Sequence, residues 1–227
     1  MSESSEQQPQ FPKSTTLIST LGIIAMIAGL LVVVVYEYTQ PIIAENQRVA
    51  TENAIFKVLP TAKTRLTFLV DNNSLKQVDD KATGELLYAG YDSHKQLVGI
   101  ALNAAAQGYQ DVVKLLYSYQ PETGCITAYD VLKSTETPGF GTKITTDEDF
   151  LANFNCLQAA VNEAQTGLEN SIKTVRHGTK KHPFEIDAIS GSTITSNAVG
   201  RMLNQSGQRL HPLVEKNLIL LKHPKHP

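Results

Sequence analysis

Twenty consecutive residues without a charge, Leu17–Tyr36 (LISTLGIIAMIAGLLVVVVY), constrain this chain more than any other feature. Coiled as an α-helix at 1.5 Å per residue they extend about 30 Å, the thickness of a bilayer's hydrocarbon core. Their two hydroxyl groups, on Ser19 and Thr20, can be satisfied by the helix's own carbonyls. Helices buried in soluble cores rarely stay uncharged on every side for so long, so a membrane span over 17–36 is predicted. A cleaved signal peptide is the nearest competitor. The apolar run is longer than a usual signal core, however, and it continues into EYTQPII without a small-x-small cleavage site. Retention as an anchor is therefore expected. Positive charge does not orient it, because Lys13 precedes the span and Arg48 follows it.

The first sixteen residues are too short and polar for a domain and read as a leader (1–16). Roughly 190 residues follow the span, enough for one domain with a sizeable core. Pro41 is predicted to end or kink the helix that leaves the membrane. A juxtamembrane helix over 37–60, a folded domain over 61–206 and a tail over 207–227 complete the expected layout. Short apolar runs at Arg65–Val70, Glu85–Tyr91, Gln96–Leu102, Val112–Tyr117, Ile126–Leu132 and Ser171–Val175 read as strands. Hairpin turns are expected at Asp92–Ser93 and Pro121–Gly124. Asp147, Glu148 and Asp149 precede Phe150, Leu151 and Phe154, which reads as a helix start with acidic residues in its first turn. Hairpin strands mixed with short helices, without regular βαβ units, point to an α+β fold.

A net charge of −2 argues against a nucleic-acid binder, which needs a basic surface to neutralise phosphates. Two cysteines, Cys125 and Cys156, are too few for a four-cysteine zinc or iron–sulfur site, and no metal site is predicted. They could form one disulfide, but their spacing does not say whether they meet. His177 and His182 in the polar stretch RHGTKKH provide no hydrolytic triad.

The most unusual segment is Asp187–Gly200, DAISGSTITSNAVG. Small and hydroxylic residues, Ser190-Gly191-Ser192-Thr193, stand just before a helix predicted from about Thr195 to Leu203. A helix start offers unpaired N–H groups and partial positive charge, which suit a phosphate. The plainer reading is an N-cap and a turn, with Thr193 or Thr195 as the cap. Neither a Walker loop nor a dinucleotide fingerprint is present, because no GKS or GKT follows and the G-x-G-x-x-G spacing is missing.

This segment resembles the flavinylation motif of the covalent-FMN subunits of ion-translocating electron-transport complexes, D-x-x-[ST]-G-A-T-x-T-S. Here the motif reads Asp187-Ala-Ile-Ser190-Gly191-Ser192-Thr193-Ile-Thr195-Ser196, with Ser192 in place of the usual alanine. A second segment, Glu136-Thr137-Pro138-Gly139-Phe140-Gly141, resembles the family's E-T-P-G-L-G loop, and Gly108–Gln110 (GYQ) resembles its GYGG. The Rnf-type G subunit is the nearer likeness and the NqrC-type subunit of Na+-translocating NADH:quinone reductase its sibling. The resemblance implies one N-terminal span and an FMN-binding domain with an antiparallel sheet, on the periplasmic side of a bacterial inner membrane.

It further implies FMN held by a phosphoester to Thr193, placed there by a flavin transferase that takes FMN from FAD. Asp187 would serve recognition or orient the hydroxyl, or simply cap a turn. Ser190 and Gly191 would shape that turn. Thr195 and Ser196 would bond phosphate oxygens or cap the helix. Glu136 and Thr137 would lie near the ring or ribityl chain, and Pro138, Gly139 and Gly141 would admit the backbone to it. Phe140 could pack on the cofactor or be an ordinary aromatic. Arg176, Lys180 and Lys181 read as a solvated run rather than a phosphate site. The expected role is electron transfer beside other redox subunits of a membrane complex, without a complete reaction of its own. The competing expectations are a tethered assembly module without cofactor and an anchored enzyme holding FMN non-covalently.

Overall fold

The computed structural model describes residues 14–80 and 82–224, so most of the predicted leader lies outside it. The chain falls into two compact units, one ending at Arg48 and the other starting at Val49. The first is an apolar helix, the beginning of α1 (Ser14–Val58). The Ser19 and Thr20 hydroxyls both donate to the Thr16 carbonyl, at 3.0 and 2.8 Å, so neither asks for water. Large apolar side chains along the helix stay exposed, Met26 to 74 %, and a bilayer is what removes such a surface from water. It is the one helix among the described residues long and apolar enough to cross a membrane. Of the two expectations at Pro41, an end or a kink, the end is not found, because helical structure runs through it. Proline deletes one N–H bond to the preceding turn. The flanking turns keep theirs, and Arg48 pairs with both carboxylate oxygens of Glu45 nearby.

The second unit is built on a seven-stranded sheet of order β2-β1-β3-β4-β5-β6-β7, antiparallel throughout. Its strands are β1 (Thr64–Asp71), β2 (Ser74–Val78), β3 (Leu86–Tyr91), β4 (Leu97–Gln107), β5 (Val112–Gln120), β6 (Cys125–Lys133) and β7 (Leu157–Gln158). A separate parallel pair joins β8 (Lys173–Val175) to β9 (Glu185–Asp187). Helices α2 (Glu148–Ala152), α3 (Thr193–Lys216) and α4 (Leu218–Lys222) complete the unit. Both predicted hairpin turns connect paired strands, β3–β4 and β5–β6. Asp147 caps α2 by accepting from the Phe150 N–H at 2.9 Å. Cys125 and Cys156 are joined as a disulfide, their Cα atoms 5.1 Å apart.

Strand residues alternate between two apolar clusters. Ile100 and Leu102 of β4, with Leu115 and Tyr117 of β5, share the main core with Val199, Met202 and Leu203 of α3. Ala101 and Leu116, between them in sequence, belong instead to a cluster with Ala54, Ile55 and Val58 at the end of α1. Burial on both faces explains why LVGIALNAAA reads as one apolar run. The predicted tail is corrected: α3 continues to Lys216, and Leu210, Leu213, Val214 and Leu221 are buried in the main core. The apolar positions 199, 203, 210 and 214 keep one helical face turned inward beyond Leu203.

His211, fully buried, fastens α3 to the sheet. Its Nδ1 lies 3.0 Å from the Ala159 carbonyl, its Nε2 lies 3.2 Å from the Tyr117 hydroxyl, and its ring stacks on Tyr119 at 3.7 Å. A carbonyl only accepts, so Nδ1 carries the proton of a neutral imidazole. Burial drives the pKa of His211 down to about 4. Below an unfolded value near 6.5 the unfolded chain takes up a proton that the folded one refuses, so acidification opposes folding until about pH 4. Between pH 7 and 5 this group should remove about 2 kcal/mol of stability. Urea midpoints of the detergent-solubilised chain and of His211→Gln at both pH values check it. Equal pH slopes in the two proteins would refute the assignment.

Candidate functional site

Three segments far apart in sequence meet at the Glu136 side chain, which is only 5 % exposed. One carboxylate oxygen accepts from the backbone N–H groups of Tyr109 and Gln110, at 2.9 and 3.1 Å. The other accepts from the Thr195 hydroxyl in the first turn of α3. Gln110 Nε2 then donates to Thr137 Oγ1 at 3.0 Å, tying the two loops a second time. Gly108 and Gly141 leave room for this arrangement. A Cβ at Gly108 would stand 2.5 Å from Glu136 Oε1, and one at Gly141 would stand 2.6 Å from Glu136 Cβ.

The entrance to α3 is set by a tight turn. Gly191 takes φ +79°, a left-handed conformation that suits glycine. Ser196 Oγ donates to the Ser192 carbonyl at 2.9 Å and accepts from the Ile189 N–H at 3.1 Å, closing the turn from within. Ser192 is the N-cap residue, yet its side chain makes no capping bond. Thr193, the first helical residue, is exposed. The first backbone donor with a helical partner is Ser196, bonded to the Ser192 carbonyl, so the N–H groups of Thr193, Ile194 and Thr195 face out of the helix mouth.

Beside that mouth lies a cavity of about 430 Å³. Of the predicted site residues, Thr193, Gly191, Ser192, Thr195, Glu136, Thr137 and Gly141 line it. Asp187, Ser190, Ser196, Pro138 and Gly139 do not. Thr195 and Ser196 already spend their hydroxyls on Glu136 and the Ser192 carbonyl, so they brace the site. Tyr109, Phe140 and Ile194 complete the lining and are 65, 61 and 52 % exposed. Ile194 fills a variable position of the motif and was not picked out in sequence. Tyr109 was visible only as the middle of GYQ.

Asp187 organises the neighbouring basic loop. Its Oδ2 accepts from the Gly178 N–H at 2.9 Å and lies 3.5 Å from His177 Nδ1. Asn153, which no sequence signal marks, bonds both backbone groups of Asp187 and accepts from Lys180 Nζ at 2.9 Å. Desolvation lowers the Lys180 pKa from its usual value, against the pull of Asp187 and Glu185. Arg176, Lys180 and Lys181 are not buried and none lines the cavity, in keeping with a solvated run.

The cavity fits a flavin mononucleotide by chemistry. Its size falls in the usual range for small-molecule sites, about 300–1,000 Å³. Exposed aromatic and aliphatic side chains offer contact for a flat ring. Hydroxyls and unpaired N–H groups cluster at the helix mouth, where a phosphate is favoured.

Comparison with known proteins bears on the same residues. A family model for the FMN-binding domain matches residues 108–207, and one for the RnfG N-terminal region matches 19–58. The G subunit of the ion-translocating oxidoreductase complex of Methanosarcina acetivorans is 31 % identical over 186 residues, which cover 82 % of this chain and 88 % of that protein. The G subunit of the proton-translocating ferredoxin:NAD(+) oxidoreductase complex of Clostridium ljungdahlii is 25 % identical, covering 84 and 88 %. The fold is shared with Shewanella oneidensis NqrC, whose crystal structure aligns with a TM-score of 0.61 at 14 % identity, over 77 % of this chain and 99 % of that one.

Proposed function

This chain belongs to the family of G subunits of ion-translocating oxidoreductase complexes, and on that footing we propose that its FMN is joined through phosphate to the hydroxyl of Thr193. The protein is an electron-transfer subunit of a membrane redox complex, with FMN as its cofactor. The observation that carries the attachment reading is an exposed threonine hydroxyl on the first turn of α3, lining a cavity. FMN bound there supplies reversible electron uptake, which no side chain around the cavity offers.

The residues of the chain do the rest. The N–H groups of Thr193, Ile194 and Thr195 and the dipole of a 24-residue helix favour a phosphate's negative charge. Tyr109, Phe140 and Ile194 would give the flavin ring apolar contact. Glu136 fixes the two loops and the helix mouth against each other. In maturation a flavin transferase is the partner. Thr193 Oγ attacks the flavin-side phosphorus of FAD, the bond to the second phosphate breaks, AMP leaves, and the hydroxyl proton is released. The oxidation state of the flavin does not change. Proteolysis of the mature protein and mass mapping of the flavin-bearing peptide test the attachment point. A mature, complex-assembled protein whose 187–201 peptide is unmodified would count decisively against it.

We further propose that the folded unit faces the periplasmic side of the cytoplasmic membrane. The Cys125–Cys156 disulfide supports this, since disulfides persist in oxidising compartments. In intact cells both thiols should resist a maleimide until a reductant is added, and then react together. Labelling of either cysteine without reductant speaks for a cytoplasmic domain.

A further inference from the structure

We infer that Ser192 is a positioning residue for the phosphate on Thr193, its hydroxyl donating to a phosphate oxygen and so favouring phosphorylated flavins over the free vitamin. The inference rests on the attachment reading above. Among the described residues two buried side-chain oxygens lack a partner, Asp187 Oδ1 and Ser192 Oγ, and both belong to the same short motif. The two differ in what they can do. An ionised carboxylate only accepts and repels a phosphate, whereas a serine hydroxyl can donate.

Ser192 is 6 % exposed, and its Oγ is buried. It stands at the N-cap of a 24-residue helix, where a serine normally accepts from the second or third N–H of the helix, and here it does not. That leaves four donors at one helix mouth without an acceptor among the described residues: the N–H groups of Thr193, Ile194 and Thr195, and the Ser192 hydroxyl. Ser192 also lines the cavity into which Thr193 opens. A tetrahedral phosphate, with several strong acceptor oxygens, is the group that can engage such a set together. In the motif this segment resembles, alanine is usual at the position of Ser192.

Ser192→Ala removes only that hydroxyl, which bonds to none of the described residues. Wild type and Ser192→Ala are to be purified full-length in detergent from cells lacking a flavin transferase. Each is titrated with FMN and with riboflavin, which has the same ring but no phosphate, and followed by flavin fluorescence anisotropy. The expected result is a loss of FMN affinity of about tenfold or more, as for a hydrogen bond to a charged group. Riboflavin affinity and the urea midpoint should hold. Three results overturn the inference: FMN affinity unchanged in the variant, equal losses for FMN and riboflavin, or a wild type that binds FMN no better than riboflavin. Peptide mapping of the mature protein separates the two readings. Flavin found on Thr193 together with unchanged FMN affinity in Ser192→Ala removes this inference alone, whereas flavin absent from that peptide removes the attachment reading.

Discussion

Thr193→Ala, produced in cells with an active flavin transferase, should give a full-length protein that carries no flavin after denaturation. Its intact mass should fall short of the mature protein by one FMN less one water, beyond the change of side chain. The band should lose its in-gel fluorescence completely, because phosphoester formation needs the hydroxyl oxygen. Folding should be almost untouched. Thr193 is exposed, and alanine is a better helix former at that position. Intact-mass spectrometry of the two proteins, with urea midpoints alongside, is sufficient. Retained covalent flavin in the variant would move the attachment elsewhere, and Ser192, the adjacent hydroxyl, would be examined first.

Glu136→Ala should act in the opposite manner, damaging the fold first and the flavin as a result. The substitution leaves two backbone N–H groups and the Thr195 hydroxyl without their acceptor at a buried point. Unsatisfied buried groups cost about 1–3 kcal/mol each, and water can reach the two N–H groups on exposed residues, so a loss of about 3 kcal/mol is expected. For a domain of this size that lowers Tm by about 6–12 °C. The cavity wall formed by the 136–141 loop should loosen, and covalent loading should drop. Glu136→Gln keeps the acceptor for the two N–H groups and the length of the side chain, so its loss should be about 1 kcal/mol. Differential scanning fluorimetry of both variants separates the cases. An Ala variant as stable as wild type would mean that the three segments are held by something other than this carboxylate.

How far the sequence revealed the molecule depends on range. The span was readable because its signal is local, twenty residues of one kind in a row. The long strands were readable from short apolar runs closed by turn residues, and β4 and β5 extend further than expected only at their ends. The short strands β2, β7 and β9 were missed, since two to five residues carry no period and pairing alone makes them strands. Beyond Leu203 the helix keeps its apolar spacing and continues through Pro212 to Lys216, where a tail is expected from 207 onward.

At the site, seven of the twelve residues expected from the motifs line one cavity, while the bonds that several of them make are not visible in the sequence. The bonds of Glu136 reach 26 or 27 residues back and 59 residues forward, a separation no local pattern reports. Thr195 and Ser196 suit a phosphate or the protein's own groups equally in sequence, and in the fold their hydroxyls donate to Glu136 and to the Ser192 carbonyl. Asn153 gave no warning at all. An asparagine in a polar stretch reads the same whether it faces water or holds a motif strand in place.

Because α3 begins at the cavity and runs on into the main core, the angular phase of Thr193 is tied to that of Val199, Met202 and Val214. Each helical residue advances the chain by about 100°. A single residue gained or lost early in the helix would therefore swing the threonine a quarter-turn or more from the cavity, unless the whole apolar stripe were unseated instead. The helix works as a keyed shaft. Its length between the first turn and the sheet is locked.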